Sequence, residues 1–346
     1  MKPVLSPTID GGRIYRPPFK TLGGILPISP QTDPDFAFKS VATPPGGQPP
    51  PEPPGVLGPL AQLLEPGGDK GEWEGAGFNT IWRPFHQQGQ DRFLELNLTK
   101  ERLVFTRIPG AIPNRGLLMP DIDMFGVTYM QEIKGLDPVE GLHVEPGIWA
   151  NVPPTTDPQV GSTVVRMASI PHGTVMLAQG EAKTVPGGPR ITPNNIIPFK
   201  IGTPPPPNSA FPQAEATFTE LNLAVNTPFR QAAKAVTEAM VENPNSVLEQ
   251  AIAGQNITTT TVLIISTKHE PVPGGGTANT AFLEDATNPP GGNAHAVEVD
   301  AIFWIETVAG SYDEPDKLQL QYTQLVQLDF NGLRWPHVSV ATLQKV

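Results

Sequence analysis

The stretch DKLQLQYTQLVQLDF, residues 316–330, constrains the fold more than any other part of the chain. Leu318, Leu320, Tyr322, Val326, Leu328 and Phe330 alternate there with Gln319, Gln321, Thr323, Gln327 and Asp329. Successive strand side chains point to opposite faces, so this period of two predicts a long strand with one face buried and one wet. AVEVDAIFWIETV (296–308) alternates similarly, with Val297, Val299, Ala301, Phe303 and Ile305 on one side. GVTYMQEI (126–133), TTTTVLIISTK (258–268) and the terminal residues add further strands. RFLELNLTKERLVFTRI (92–108) reads as a hairpin turning near Thr99–Arg102, and STVVRMASIPHGTVMLAQGEA (162–182) as another turning at Ile170–Gly173. Nine or ten antiparallel strands joined by short turns mean a sandwich or a barrel, and closure removes exposed edges. The expected fold is therefore all-β: an antiparallel up-and-down β-barrel of about ten strands.

Two regions depart from this pattern. Residues 1–56 end in TPPGGQPPPEPPG, which makes neither helix nor sheet and reads as a Pro-rich N-terminal arm and linker. The barrel domain then spans 57–346, with an insertion at about 183–256. Its first part is a Pro-rich loop. TPFRQAAKAVTEAMVENPNSVLEQAIAGQN (227–256) has the apolar spacing of two short helices, with Thr227-Pro228 as N-cap and first residue and Asn243-Pro244 as the break. The 43 prolines and 34 glycines of the 346 residues fit such a turn-rich, helix-poor chain.

Charge narrows the partners. Lys and Arg number 23 against 34 Asp and Glu, a formal charge of −11, and no basic run occurs. Phosphate backbones and anionic membrane surfaces are poor partners for such a chain, so no nucleic acid and no membrane is expected. The chain has no cysteine, which removes disulfides, thiolate metal sites and Cys nucleophiles. MKPVLSPTIDGGRIYRPP lacks the apolar stretch of a signal peptide, and no apolar run is long enough to span a bilayer. A cytoplasmic location is expected, with a small-molecule ligand as partner and a homodimer as the allowed assembly.

No G-x-S-x-G, H-E-x-x-H, P-loop or G-x-G-x-x-G occurs, and no acidic pair suggests a glycosidase. Six histidines remain: His86, His143, His172, His269, His295 and His337. No two stand at a metal-ligand spacing on one element. His172 in IPHGT reads as a turn residue, His269 and His295 as solvated loop residues, and His143 as a local hydrogen-bond partner of Glu145. His86 fits either role. His337 shares a strand face with Ser339, Ala341 and Leu343, which are mostly small. That face either makes room for a ligand or carries a hydrogen-bonded histidine at the barrel rim, and spacing alone favours the rim.

LGPLAQLLEPGGDKGEWEGAGFN (57–79) resembles the opening of nitrobindin-like haem-binding proteins, a helical turn followed by a G-x-W-x-G-x-G strand, here Gly71, Trp73, Gly75 and Gly77. LHVEPGIW (142–149) is similar to that family's L-H-x-E-x-G-aromatic stretch, and PHVSVATLQKV to its terminal H-L-x-A-x-L strand. The resemblance is distant. It implies a calycin barrel related to fatty-acid-binding proteins, enlarged here by an insertion. It further implies b-type haem, with His337 as the axial metal ligand and Trp73, Trp149, Phe303, Tyr322 and Trp335 as pocket wall. A family with one proximal and no distal histidine suits nitric oxide binding or peroxynitrite isomerisation better than peroxidase chemistry. Pro336 stands where the family has a second histidine. His337 also lies one residue further from Ala341 than the pattern has it, which a bulge after His337 would repair. Three alternatives stand beside haem. One is a metal-free carrier for an apolar, fatty-acid-like molecule anchored by Arg83, Gln324 or His337. Another is a cofactorless enzyme using His337 or His143 as acid or base. The last is an interaction role for the Pro-rich arm.

Overall fold

Ten strands close on one another in strict sequence order. In the computed structural model, which describes residues 55–87, 90–202, 218–268, 274–284, 293–311 and 313–346, they are β1 (Lys70–Gln87), β2 (Gln90–Arg107), β3 (Ile122–Leu136), β4 (Val139–Val152), β5 (Thr163–Ile170), β6 (Thr174–Pro186), β7 (Ile257–Ser266), β8 (His295–Val308), β9 (Lys317–Phe330) and β10 (Leu333–Lys345). Each pairs antiparallel with the next, and β10 pairs with β1 from Trp73↔Lys345 to Thr80↔Val338. The result is a closed ten-stranded up-and-down barrel of calycin-like architecture, as the alternation predicts. Nearly all of residues 1–56, together with His269, lies outside the described residues.

Inside, Trp73, Phe105, Trp149, Leu263, Phe303 and Leu343 belong to one buried cluster. A short 3-10 helix, Gly58–Leu63, packs Leu60 and Leu63 into the same cluster and stops the lower end of the barrel. Its last carbonyls are tied down from two sides. Trp73 Nε1 donates to the Leu63 carbonyl at 2.9 Å, and Lys345 Nζ donates to those of Gln62 and Leu64. The glycines of the opening motif have a backbone reason. A Cβ on Gly75 or Gly77 would run into the Thr342 or Val340 carbonyl oxygen of β10. Only hydrogen lets β1 approach β10 so closely.

A second buried cluster lies outside the barrel wall. The described parts of the segment between β6 and β7 cover β1, β2, β8 and β10, bringing Ile196, Phe218, Val241 and Leu248 onto Phe78, Trp82, Trp304, Val338 and Val340. It is stitched by main-chain pairing. Arg230–Ala232 lies parallel to Leu94–Leu96, on the half of β2 that extends past β3, and Phe199–Lys200 pairs with Leu333–Arg334. Trp82 Nε1 adds a hydrogen bond to the Ile196 carbonyl at 2.8 Å. Because of this strap, the glutamine face of β9 is not wet: Gln319, Gln321, Gln327 and Asp329 are buried, and Gln321 Nε2 donates to the Leu248 carbonyl.

Three local expectations are corrected. Residues 92–107 form one continuous strand, because Thr99 and Glu101 point inward to polar partners while Lys100 and Arg102 point outward to Glu74 and Glu72. The first short helix starts at Thr237, whose hydroxyl accepts from the Met240 N–H, because the chain after Thr227-Pro228 is drawn into pairing with β2. In β8 a bulge between Ala296 and Glu298 lets Ala296, rather than Val297, enter the core. The break at Asn243-Pro244 and the turn at Ile170–Gly173 stand where the sequence puts them.

Candidate functional site

The upper end of the barrel encloses a cavity of about 500 Å³. Its walls come from the far half of β1, the near half of β2, the β3–β4 and β5–β6 turns, and the ends of β8, β9 and β10. This volume lies in the range of small-molecule sites. Apolar side chains such as Ile81, Ile133, Leu142, Val326 and Leu328 cover much of the wall.

His337 belongs to this wall, and no bulge is needed to put it there. β10 pairs with β9 without interruption from Phe330↔Leu333 to Gln319↔Gln344. His337, Ser339, Ala341 and Leu343 therefore share the inward face by simple alternation, which overturns the expected bulge. Asn79, directly opposite Ser339 on β1, bridges the two polar residues. Its Nδ2 donates to Ser339 Oγ at 2.7 Å and lies 2.9 Å from His337 Nε2. The Asn79 Oδ1 is buried without a hydrogen-bond partner. Burial pushes the His337 imidazole down to about 3, and the nearby His143 and His172 push in the same direction, so the ring is neutral at any ordinary pH.

Behind the lining residues His143 and Gln324 lies a polar, locked network. Arg166, from β5, is buried inside the barrel. It donates through Nη2 to Glu145 Oε1 at 2.5 Å, through Nε to Tyr129 Oη at 2.8 Å, and through Nη1 to Gln324 Oε1 at 2.6 Å. Glu145 also accepts from Tyr129 Oη, and its Oε2 lies 3.1 Å from His143 Nε2. Burial alone would raise the Glu145 pKa. The Arg166 charge and the hydrogen bonds of His143 and Tyr129 outweigh it and hold the group near 2. Arg166 cannot accept a hydrogen bond, so Gln324 must present its Oε1 to Arg166 and its Nε2 elsewhere.

A second carboxylate sits beside this network without a cation. Glu101 is 1% exposed and accepts from Tyr322 Oη at 2.6 Å, Thr99 Oγ1 at 3.0 Å and Gln131 Nε2 at 3.3 Å. Burial dominates these three hydrogen bonds and raises its pKa to about 7.

Of the residues expected around a cofactor, His337 and Tyr322 line the cavity. Trp73, Trp149 and Phe303 lie in the packed core, Trp149 edge-on to Phe303 and under the Arg166 guanidinium. Trp335 lies outside the wall, stacked on Phe330 at 4.5 Å and facing Trp82. The expected anchors Arg83 and Gln324 border the cavity, as does His143. His143 meets Glu145 as anticipated and lies in a strand. His295 opens β8 opposite Asp329, with a buried unpartnered Nδ1, so it is not the solvated loop residue its sequence suggests. Sequence reasoning missed Arg166, Glu101, Gln131 and Asn79. An arginine at an inward position of an otherwise apolar strand, in TVVRMASI, was the one available signal.

No family model matches this chain, and no curated protein matches it. Among solved structures, the crystal structure of Rv2717c from M. tuberculosis aligns over 84% of this chain and 97% of its own, at 14% identity and a TM-score of 0.35. Among the described residues, no helix is long and apolar enough to cross a membrane, and no group of three or more His, Asp or Glu is arranged to hold a metal ion.

Proposed function

We propose that this chain is a ligand-binding barrel that takes a small, largely apolar molecule into the upper cavity and seats its polar group on Asn79, His337 and Ser339. One observation carries the reading, an unfinished hydrogen-bond set. Leaving a buried acceptor such as Asn79 Oδ1 unpaired costs about 1–3 kcal/mol, and a hydroxyl or amide N–H on a ligand removes that cost. The neutral His337 ring beside it adds a second polar contact without introducing a buried charge.

Haem b is the occupant implied by the sequence resemblance. His337 fits it in orientation and charge state, since iron takes the lone pair of a neutral imidazole. The fit is incomplete at one atom: Nε2 lies against Asn79 Nδ2, and that contact has to break before Nε2 serves as a ligand. When bound there, haem would supply an iron with an open position for nitric oxide or peroxynitrite. The engaged Nε2 favours the metal-free carrier over haem.

Titrations of the full chain with a fluorescent fatty acid and, separately, with hemin test the reading. Saturable binding of the fatty acid near one equivalent, weakened at least about tenfold by Asn79→Ala and by His337→Ala, supports the carrier, since one lost charge-free polar contact is worth roughly that factor. A hemin Soret shift that disappears in His337→Ala supports haem instead. Failure of both probes to bind, or binding indifferent to both substitutions, overturns the site.

A further inference from the structure

The side of the cavity formed by the β3–β4 and β5–β6 turns carries two histidines that this anchor does not use. His143, on β4, and His172, in the turn between β5 and β6, are 29 residues apart in the chain, and no single element could display both. The fold brings their ring centroids to 5.7 Å, with the planes at 42°, and both rings border the same cavity.

We infer that His143 and His172 together hold one first-row transition-metal ion at the mouth of the cavity, with its remaining positions completed by water or by a coordinating group on the cavity ligand. The spacing is the first reason. A metal bonded to imidazole nitrogen at about 2.0–2.1 Å lies roughly 3.2 Å from the ring centre, so two imidazoles at tetrahedral to trigonal angles stand roughly 5–6 Å apart, centre to centre. The second reason is the surroundings. Ligating histidines characteristically hand their other ring nitrogen to a carboxylate or a backbone carbonyl, which fixes tautomer and orientation. His143 has that partner in Glu145 Oε2 at 3.1 Å, leaving Nδ1 for a metal. The carboxylate is itself immobilised by Arg166 and Tyr129, so the imidazole is aimed by three buried residues. The Leu142 carbonyl lies beside the His172 ring in the same sense.

Two imidazoles and no thiolate suit Cu(II), Zn(II), Ni(II) or Co(II) rather than Ca(II) or Mg(II), which require oxygen cages. Two protein ligands rather than three make an open site of modest affinity, one in which the occupant of the cavity becomes part of the coordination sphere. The inference stands apart from the Asn79–His337 anchor, and either can fail alone.

Titration of the metal-free full chain with Cu(II), followed by calorimetry and electron paramagnetic resonance, tests it. One equivalent with hyperfine coupling to two nitrogens is expected, its affinity reduced at least about tenfold in His143→Ala and again in His172→Ala. His172 lies in an exposed turn, so its removal leaves the core intact. Glu145→Gln, which keeps the shape of the side chain, is expected to weaken binding about tenfold, as loss of an orienting partner does. Absence of a one-equivalent site overturns the inference. So does binding that survives the double substitution, or binding lost in His86→Ala, an exposed histidine of β1, in place of His172→Ala.

Discussion

Replacing Glu101 with glutamine should stabilise the protein by an amount that grows as pH rises from about 4.5 to about 7 and is constant above that. In the unfolded chain this carboxyl ionises at about its ordinary 4.5, whereas in the barrel burial holds it protonated until about 7. Below the lower value both states carry the proton and stability does not depend on pH through this group. Between the two, the unfolded chain gains by ionising and the folded chain does not, so stability falls as pH rises. Above about 7 the slope ends and the full cost remains. At about 1.4 kcal/mol for each tenfold step, the gap is roughly 3.5 kcal/mol. Glutamine keeps the geometry: its oxygen can accept from Tyr322 and Gln131, and its amide can donate to Thr99, the groups that now contact Glu101. Urea denaturation of the parent and Glu101→Gln at intervals from pH 4.5 to 8.5 isolates the term, because every other titrating group cancels in the difference. The variant should be equal or slightly weaker at pH 4.5 and about 3 kcal/mol stronger at pH 8.5. Parallel curves would refute the reasoning and mean that solvent reaches Glu101.

Arg166→Met should cost about 3–5 kcal/mol in the same assay, since it strands the buried Glu145 charge. Adding Glu145→Gln to that variant should recover part of the loss, and strict additivity of the two substitutions would contradict the pairing. Gly77→Ala should lower stability by about 2–3 kcal/mol through the collision with the Val340 carbonyl, whereas Gly188→Ala, whose Cβ meets only ordinary contacts, should stay within about 0.5 kcal/mol in thermal melts.

The barrel was legible because its strands speak in period two. The inward set Leu320, Tyr322, Val326 and Leu328 follows from alternation alone, and so does the inward aim of His337 once β10 is a plain strand. Turn signals were less safe. Thr99–Lys100–Glu101–Arg102 has turn-like composition, yet it is a strand whose inward residues are polar and whose outward ones are ion-paired. The sequence cannot separate those cases, because the partners of Glu101 come from β3 and β9. The same holds for the site. His337 announces itself by the small residues beyond it, but Arg166 becomes meaningful only when β4 and β9 bring Glu145 and Gln324 to it. Trp335 misled by parity: it has the inward phase of His337, yet at the start of β10 its ring joins Phe330 and Trp82 outside.

The strap gives the barrel a two-ply wall on one side only. Along β1, β2, β8, β9 and β10 each stave is backed by a second apolar layer, while β6 turns Val175 and Leu177 to water. A cylinder laminated over half its circumference is mechanically uneven. The backed staves hold the anchor from behind, whereas the His172 turn is braced from one edge, by Gly276–Asn279 pairing with Thr174–Leu177. The second layer should therefore hold Asn79 and His337 still, and a molecule should reach them from the side of the cavity that lacks it.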